Sequence, residues 1–150
     1  MNRAIALSRE KMNSNEGGPF GAVIVKDDTI ISEGWNQVTS TNDPTAHAEV
    51  TAIRKACEKL QTFSLQGCEI YTSCEPCPMC LAAIYWARLD RIHYANSRTD
   101  AAKIDFDDEF LYREIATPIH KRKIPMVQSH TREAGEVFAE WMKKEDKVMY

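Results

Sequence analysis

A chain of 150 residues is long enough for one domain with a real core and too short for two of ordinary size. Its 43% hydrophobic and 27% charged residues exclude a fibrous or disordered chain. The net charge of -3 argues against a surface that tracks phosphates, since each such contact needs a cation, so no nucleic-acid partner is expected. The basic run Lys121, Arg122, Lys123 reads as a solvated loop. No stretch approaches the roughly 18 apolar residues of a membrane span. Arg3, Arg9, Glu10 and Lys11 interrupt the N-terminus, which therefore lacks the apolar run of a signal peptide. A cytoplasmic location without membrane contact is the expectation. In that reducing compartment, cysteines at 74, 77 and 80 point to a metal rather than to disulfides.

In chain order, residues 2–12 place Ile5, Leu7 and Met12 on a short amphipathic helix. Gly17-Gly18-Pro19 ends it. Phe20 to Lys26 reads as a strand, Asp27-Asp28 as a tight turn, and Thr29 to Asn36 as the returning strand of a hairpin. Residues 37–45 read as loop. A second helix starts at Asp43-Pro44 or Thr45 and carries Val50, Ile53 and Leu60. Cys68 to Ser73 reads as a third strand. A third helix starts near Pro76 and Pro78 and runs to about Arg88, and Arg91 to Ala95 is the fourth strand. Asp105 to Glu114 reads as helix, and Ile124 to Ser129 as a fifth strand, at an edge because of Pro125. Ala134, Val137, Phe138, Trp141 and Met142 make the apolar stripe of a last helix. The expected fold is α/β: a three-layer α/β/α domain spanning 1–150 around one five-stranded mixed sheet.

Two segments carry chemistry: Thr45-Ala46-His47-Ala48-Glu49 and Cys74-Glu75-Pro76-Cys77-Pro78-Met79-Cys80. Each falls where a loop or strand feeds a helix start, and the unpaired amides there stabilise a thiolate. His47, Cys77 and Cys80 can supply three ligands to one zinc ion per chain, leaving a fourth position for water. Glu49 lies two residues from His47, nearly half a turn round a regular helix, but at a helix end both side chains can wrap toward one point. A carboxylate that is not a ligand is a natural proton shuttle beside such water. The ordered pair H-x-E and P-C-x-x-C is the signature of zinc deaminases. Two rival readings use Cys74: a closed Cys₃His structural site, or part of an iron–sulfur motif. Both leave Glu49 idle, and Cys74 is read as a buried bystander. Cys57 and Cys68 read as core residues. His93, His120 and His130 read as ordinary strand and loop residues rather than ligands.

The chain also resembles the guanine deaminases of the cytidine deaminase-like superfamily. The likeness runs through Gly-Gly-Pro-Phe-Gly-Ala-Val-Ile-Val at 17–25 and Asn-Asp-Pro-Thr-Ala-His-Ala-Glu-Val-Thr-Ala-Ile-Arg-Lys-Ala-Cys at 42–57. It continues through Tyr-Thr-Ser-Cys-Glu-Pro-Cys-Pro-Met-Cys at 71–80, Ala-Ile-Tyr-Trp-Ala-Arg at 83–88, Thr-Asp-Ala-Ala at 99–102 and Phe-Asp-Asp-Glu-Phe at 106–110. It covers nearly the whole chain and is weakest from Thr117 to Met149. The resemblance implies the cytidine deaminase-like fold and hydrolysis of a small purine base, guanine, to xanthine and ammonia in purine catabolism. Activated water would attack C2 while Glu49 moves protons. It implies that Asn36, Ala48, Phe20 and Trp86 contact the base. Asp108 would grip the ring or amino group and help relay protons. It also suggests a homodimer exchanging segment 130–150, so that Tyr150 closes the neighbour's site. Rival substrates within the superfamily are cytosine, guanosine, the triazine ammeline and a tRNA adenosine. The acidic balance argues against the last, and a tail closing the site argues against a nucleoside. Ammeline shares guanine's hydrogen-bonding edge. Outside the superfamily the alternative is a non-catalytic zinc module.

Overall fold

A computed structural model, describing residues 1–106 and 108–150, gives the fold. Its sheet starts from a hairpin. Asp27 and Asp28 both take left-handed backbone, φ 47° and 59°, which two-residue hairpin turns require and aspartate tolerates. They join β1 (Gly21–Lys26) to β2 (Thr29–Trp35) with Lys26 opposite Thr29 and Gly21 opposite Trp35. A bulge between Ile24 and Val25 interrupts the register. β1 also pairs antiparallel with β3 (Glu69–Cys74), and β3 pairs parallel with β4 (Arg91–Asn96). The order is β2-β1-β3-β4, a mixed sheet.

Helices cover both faces. α1 (Asn2–Asn13) buries Ala4 and Leu7 on one face of the sheet. α3 (Ala48–Leu60) and α4 (Pro78–Trp86) lie on the other, where Ala48, Ala52, Ala56 and Ile84 pack with Ala22, Ile24 and Ile70 in the main core. The α/β/α layering expected from the sequence is present. α3 sits unusually close to β2. A Cβ on Gly34 would lie 2.2 Å from the Ala48 carbonyl oxygen, so only glycine allows this approach. Ser32 Oγ donates to the Ala52 carbonyl at 2.7 Å from the same strand. α4 is the crossover that makes β3 and β4 parallel.

Several boundaries differ from expectation. Among the described residues the sheet has four strands, not five. Among the described residues, 124–129 forms no ladder: Pro125 has no amide to donate, and Ile124, Met126 and Val127 are exposed. The region read as loop contains a one-turn helix, α2 (Val38–Thr41). α3 begins at Ala48 rather than at 43–45, because the Asp43 carboxylate accepts from the Thr45 amide and hydroxyl and holds that stretch in a turn. A short helix not expected from the sequence, α5 (Arg98–Ala102), opens with a reciprocal Ser97–Asp100 capping box. α6 (Glu109–Ala116) starts later than expected; Asp107, within that expected helix, lies outside the described residues.

The chain divides into two compact units, Met1–Leu111 and Tyr112–Tyr150. The second holds the end of α6, a 3-10 turn (Ile119–Lys121), α7 (Thr131–Lys143) and the tail. Within it, Arg122 donates to the carbonyls of Thr117 and Ile115, each at 3.0 Å, so this member of the basic run is committed locally. Val137, Phe138 and Met142 of the α7 stripe are exposed. Among the described residues no helix is long and apolar enough to cross a membrane.

Candidate active site

Two helix starts meet at the ends of β2 and β3. His47 is the N-cap of α3 and Cys77 the N-cap of α4, both in extended backbone, with Pro78 opening α4. Neither side chain caps its helix, so both are available elsewhere. Glu49 and Cys80 follow within the first turns. The late start of α3 matters here. His47 precedes the helix instead of sitting inside it, which removes the half-turn separation from Glu49.

Nδ1 of His47 lies 3.6 Å from Sγ of Cys77 and 3.5 Å from Sγ of Cys80. A tetrahedral ion with Zn–S of about 2.3 Å and Zn–N of about 2.0 Å places N and S about 3.5 Å apart. The donor atoms of these three residues all lie within 4.8 Å of one another, and they form a set able to hold a metal. Two soft thiolates and an imidazole suit zinc. Cys74 stands outside this set: its thiol donates to the Ser97 carbonyl at 3.7 Å, and burial pushes it up to about 11. The described residues thus assemble three ligands, not the closed Cys₃His set.

The electrostatics of the trio ask for a cation. The hydrogen bond from Cys80, followed by that from His47, pulls the Cys77 thiol down to about 4. That leaves an anion beside Cys80, whose own thiol is pushed up by Cys77 and by burial. His47 is pushed up, chiefly by its hydrogen bond to Cys77. Two sulfurs this close share one negative charge comfortably and two only around a positive ion. Glu49 is buried, 8% exposed, and burial raises its carboxyl to about 6. Its Oε2 lies 3.4 Å from Cys80 Sγ.

A cavity of about 430 Å³ opens over this cluster. It is lined by His47, Cys77 and Glu49, and by Phe20, Asn36, Ala48 and Asp108 of the residues singled out from sequence. The structure adds Phe106, whose ring meets Phe20 edge-on at 4.8 Å and 86°, and Gly17, Gly18, Cys74 and Glu75. Phe106 begins the segment 106–110, but nothing in its spacing separates a site aromatic from a core one. Trp86 is not among the lining residues. It ends α4, and six residues on from Cys80 a helical side chain points about 120° away. It is 66% exposed and borders a shallow groove with Tyr85 and Arg88. Tyr150 belongs to the second unit and is exposed.

Comparison with known proteins fits this geometry. Residues 1–96 match the family model for the cytidine and deoxycytidylate deaminase zinc-binding region. The chain is 55% identical over 150 residues to a guanine deaminase of Bacillus subtilis (strain 168), covering 100% of this chain and 96% of that protein. The X-ray structure of guanine deaminase from Bacillus subtilis superposes with a TM-score of 0.97 over 99% of this chain and 95% of that one. A tRNA-specific adenosine deaminase of Aquifex aeolicus is 44% identical, but over 61% of each chain.

Proposed function

We propose that this chain, which belongs to the cytidine and deoxycytidylate deaminase zinc-binding family, hydrolyses guanine to xanthine and ammonia. The observation that carries the reading is the convergence of one imidazole nitrogen and two sulfurs beside a buried carboxyl that is not part of the metal-ligating set. The choice of guanine rests on the 55% identity to a guanine deaminase along the whole chain.

His47, Cys77 and Cys80 would hold the ion. Zinc held there supplies a Lewis acid that makes water a nucleophile near neutral pH. Glu49 is the proton carrier: it takes a proton from the attacking water and delivers it to the amino group leaving C2, so guanine and water become xanthine and ammonia. Its burial, which lifts the carboxyl to about 6, suits a group that must both accept and release a proton near neutral pH. Phe20 offers a ring to the flat base, Phe106 extends that aromatic wall, and Ala48 leaves room beside the reacting carbon. Asn36 hydrogen-bonds the base. Asp108 holds the ring or amino nitrogen and assists the relay.

The working unit is a homodimer whose segment 130–150 is exchanged, with Tyr150 closing the partner's site. The exposed apolar stripe of α7 and the exposed Tyr85 and Trp86 of α4 support a second copy as their cover. The dimer acts in the cytoplasm on a free base and needs no nucleic acid. Light scattering should give twice the chain mass.

An ammonia-release screen over guanine, guanosine, cytosine, adenine and ammeline tests the activity. Guanine should lead and ammeline follow. Fastest turnover of another compound would replace guanine as substrate. A zinc-loaded chain that turns over none would leave a binding module.

A further inference from the structure

We propose that Gly17 is a positioning residue: it lets the backbone lie directly on Asn36 and so fixes that carboxamide with its oxygen turned inward and its NH₂ group serving the cavity. The inference rests on the deaminase reading above and adds what sets the polarity of its base contact.

Asn36 is 7% exposed and follows the end of β2. Its Oδ1 accepts from the Gly18 amide at 3.2 Å and from the Val38 amide at 3.3 Å. A backbone N–H can only donate, so the branch that both amides reach must be the carbonyl oxygen. The NH₂ branch, two donors and no acceptor, is then what Asn36 presents to the cavity it lines. The residue's own backbone is tied in place, its N–H donating to the Phe20 carbonyl at 3.1 Å and the next amide, Gln37, donating to Ala46 at 2.9 Å.

Gly17 closes this frame. A Cβ there would stand 1.8 Å from the Asn36 carbonyl oxygen, 2.7 Å from its carbonyl carbon and 3.1 Å from Oδ1. The clash falls on backbone held by the hydrogen bonds to Phe20 and Ala46, not on a pliable side-chain end. The loop cannot retreat easily either. Ser40 Oγ donates to the Glu16 carbonyl at 2.8 Å, and Lys11 pairs with the Glu16 carboxylate at 2.9 Å while lying over the Trp35 ring at 4.2 Å. Any side chain at 17 therefore separates the Gly18 amide from Oδ1 and frees the carboxamide to turn. At Gly18 the nearest atoms a Cβ would meet belong to the Phe106 and Phe20 rings, at the ordinary contact distance of 3.5 Å, so the requirement belongs to position 17.

A fixed donor selects its partner. The edge of the base that meets Asn36 must carry an acceptor, a carbonyl oxygen or an unprotonated ring nitrogen. A base offering N–H or NH₂ there sets donor against donor.

The test is a double-mutant cycle with Gly17→Ala, Asn36→Ala and the pair, reading kcat, KM and calorimetric Kd for guanine together with zinc content. Each single change should lower kcat/KM by about 10- to 100-fold with zinc retained. The pair should be no worse than Asn36→Ala alone, because Gly17 acts through that side chain. Losses that multiply, or normal kinetics in Gly17→Ala, overturn the proposal. If Gly17→Ala does not fold, Asn36→Asp carries the test. It still accepts from both amides but has no donor, and unchanged guanine kinetics in it overturn the proposal. A zinc-loaded wild type that neither binds nor turns over any base overturns the deaminase reading as well. An active wild type with a multiplicative cycle overturns this inference alone.

Discussion

Nδ1 of His47 stands 3.5 Å from Sγ of Cys80, across 33 positions of sequence. Two helix starts create this meeting. The close approach of α3 to Gly34 brings one of them to the sheet, and the β3–α4 junction brings the other. Neither helix supplies the site by its periodicity. Both supply it by where they begin.

Replacing either sulfur removes a ligand and leaves the remaining thiol without its cation. Cys77→Ser and Cys80→Ser should each drop zinc well below the one ion per chain expected of the wild type. They should also melt at lower temperature, because a site present only in the folded chain adds its binding energy to folding. Metal analysis after desalting, paired with a thermal melt, checks both. Full zinc in Cys80→Ser would mean that the trio is not the ligand set.

Glu49→Gln separates holding the metal from moving the proton. The amide keeps the shape and cannot accept a proton. Zinc should stay near one per chain while ammonia release from guanine falls by roughly 10²- to 10⁴-fold. Loss of zinc together with activity would make Glu49 structural instead.

The pattern of what could be read from sequence follows from distance along the chain. His47, Glu49, Cys77 and Cys80 were legible because their chemistry is set within one turn of a helix start, and Pro78 marks that start in the letters themselves. Even so, the turn made by Asp43 moves the α3 start from the expected 43–45 to Ala48, which puts His47 and Glu49 at the helix end where such side chains can converge. Asp27-Asp28 announced the hairpin through backbone preference alone. Trp86 and Phe106 were not separable, because an aromatic faces site or solvent according to the rotation of its helix and the path of a distant loop. Residues 124–129 have strand-like composition, but a strand exists only with a partner edge, which composition does not encode.

The ion pair of Arg3 and Glu33 ties α1 to β2 at two points, Nε to Oε1 at 2.6 Å and the second guanidinium nitrogen to Oε2 at 2.7 Å. The guanidinium holds the Glu33 carboxyl below its usual range. A carboxyl depressed in the folded state contributes stability above its unfolded value of about 4.3, and that contribution fades as pH falls through the folded value. Glu33→Gln should thus be less stable than wild type at pH 7, by about 0.5–1 kcal/mol for a pair this open to water. The gap should begin to narrow near pH 4 and close as pH falls further, through the folded value. Urea midpoints at the two pH values check this, and a gap that widens in acid would reverse the sign of the argument.

Exchange of the tail can be read from mixtures. Removing Tyr150 should cut guanine turnover strongly with zinc intact, and Asp108→Ala should do the same from within the cavity. A chain lacking Tyr150 keeps Glu49, while a Glu49→Gln chain keeps its tail. If each tail closes the partner's site, a mixed dimer rebuilds one complete site from the two. Unfolding and refolding the two variants together with zinc in equal amounts makes half the dimers mixed, so activity should recover to about one quarter of wild type. If each tail served its own chain, no pairing could complete a site, and the mixture would show only the average of its two inactive parents. Refolding each variant alone gives that baseline. Recovery that follows the mixed fraction, and vanishes when the variants are combined without unfolding, shows that Tyr150 completes the partner's site, as exchange of segment 130–150 requires.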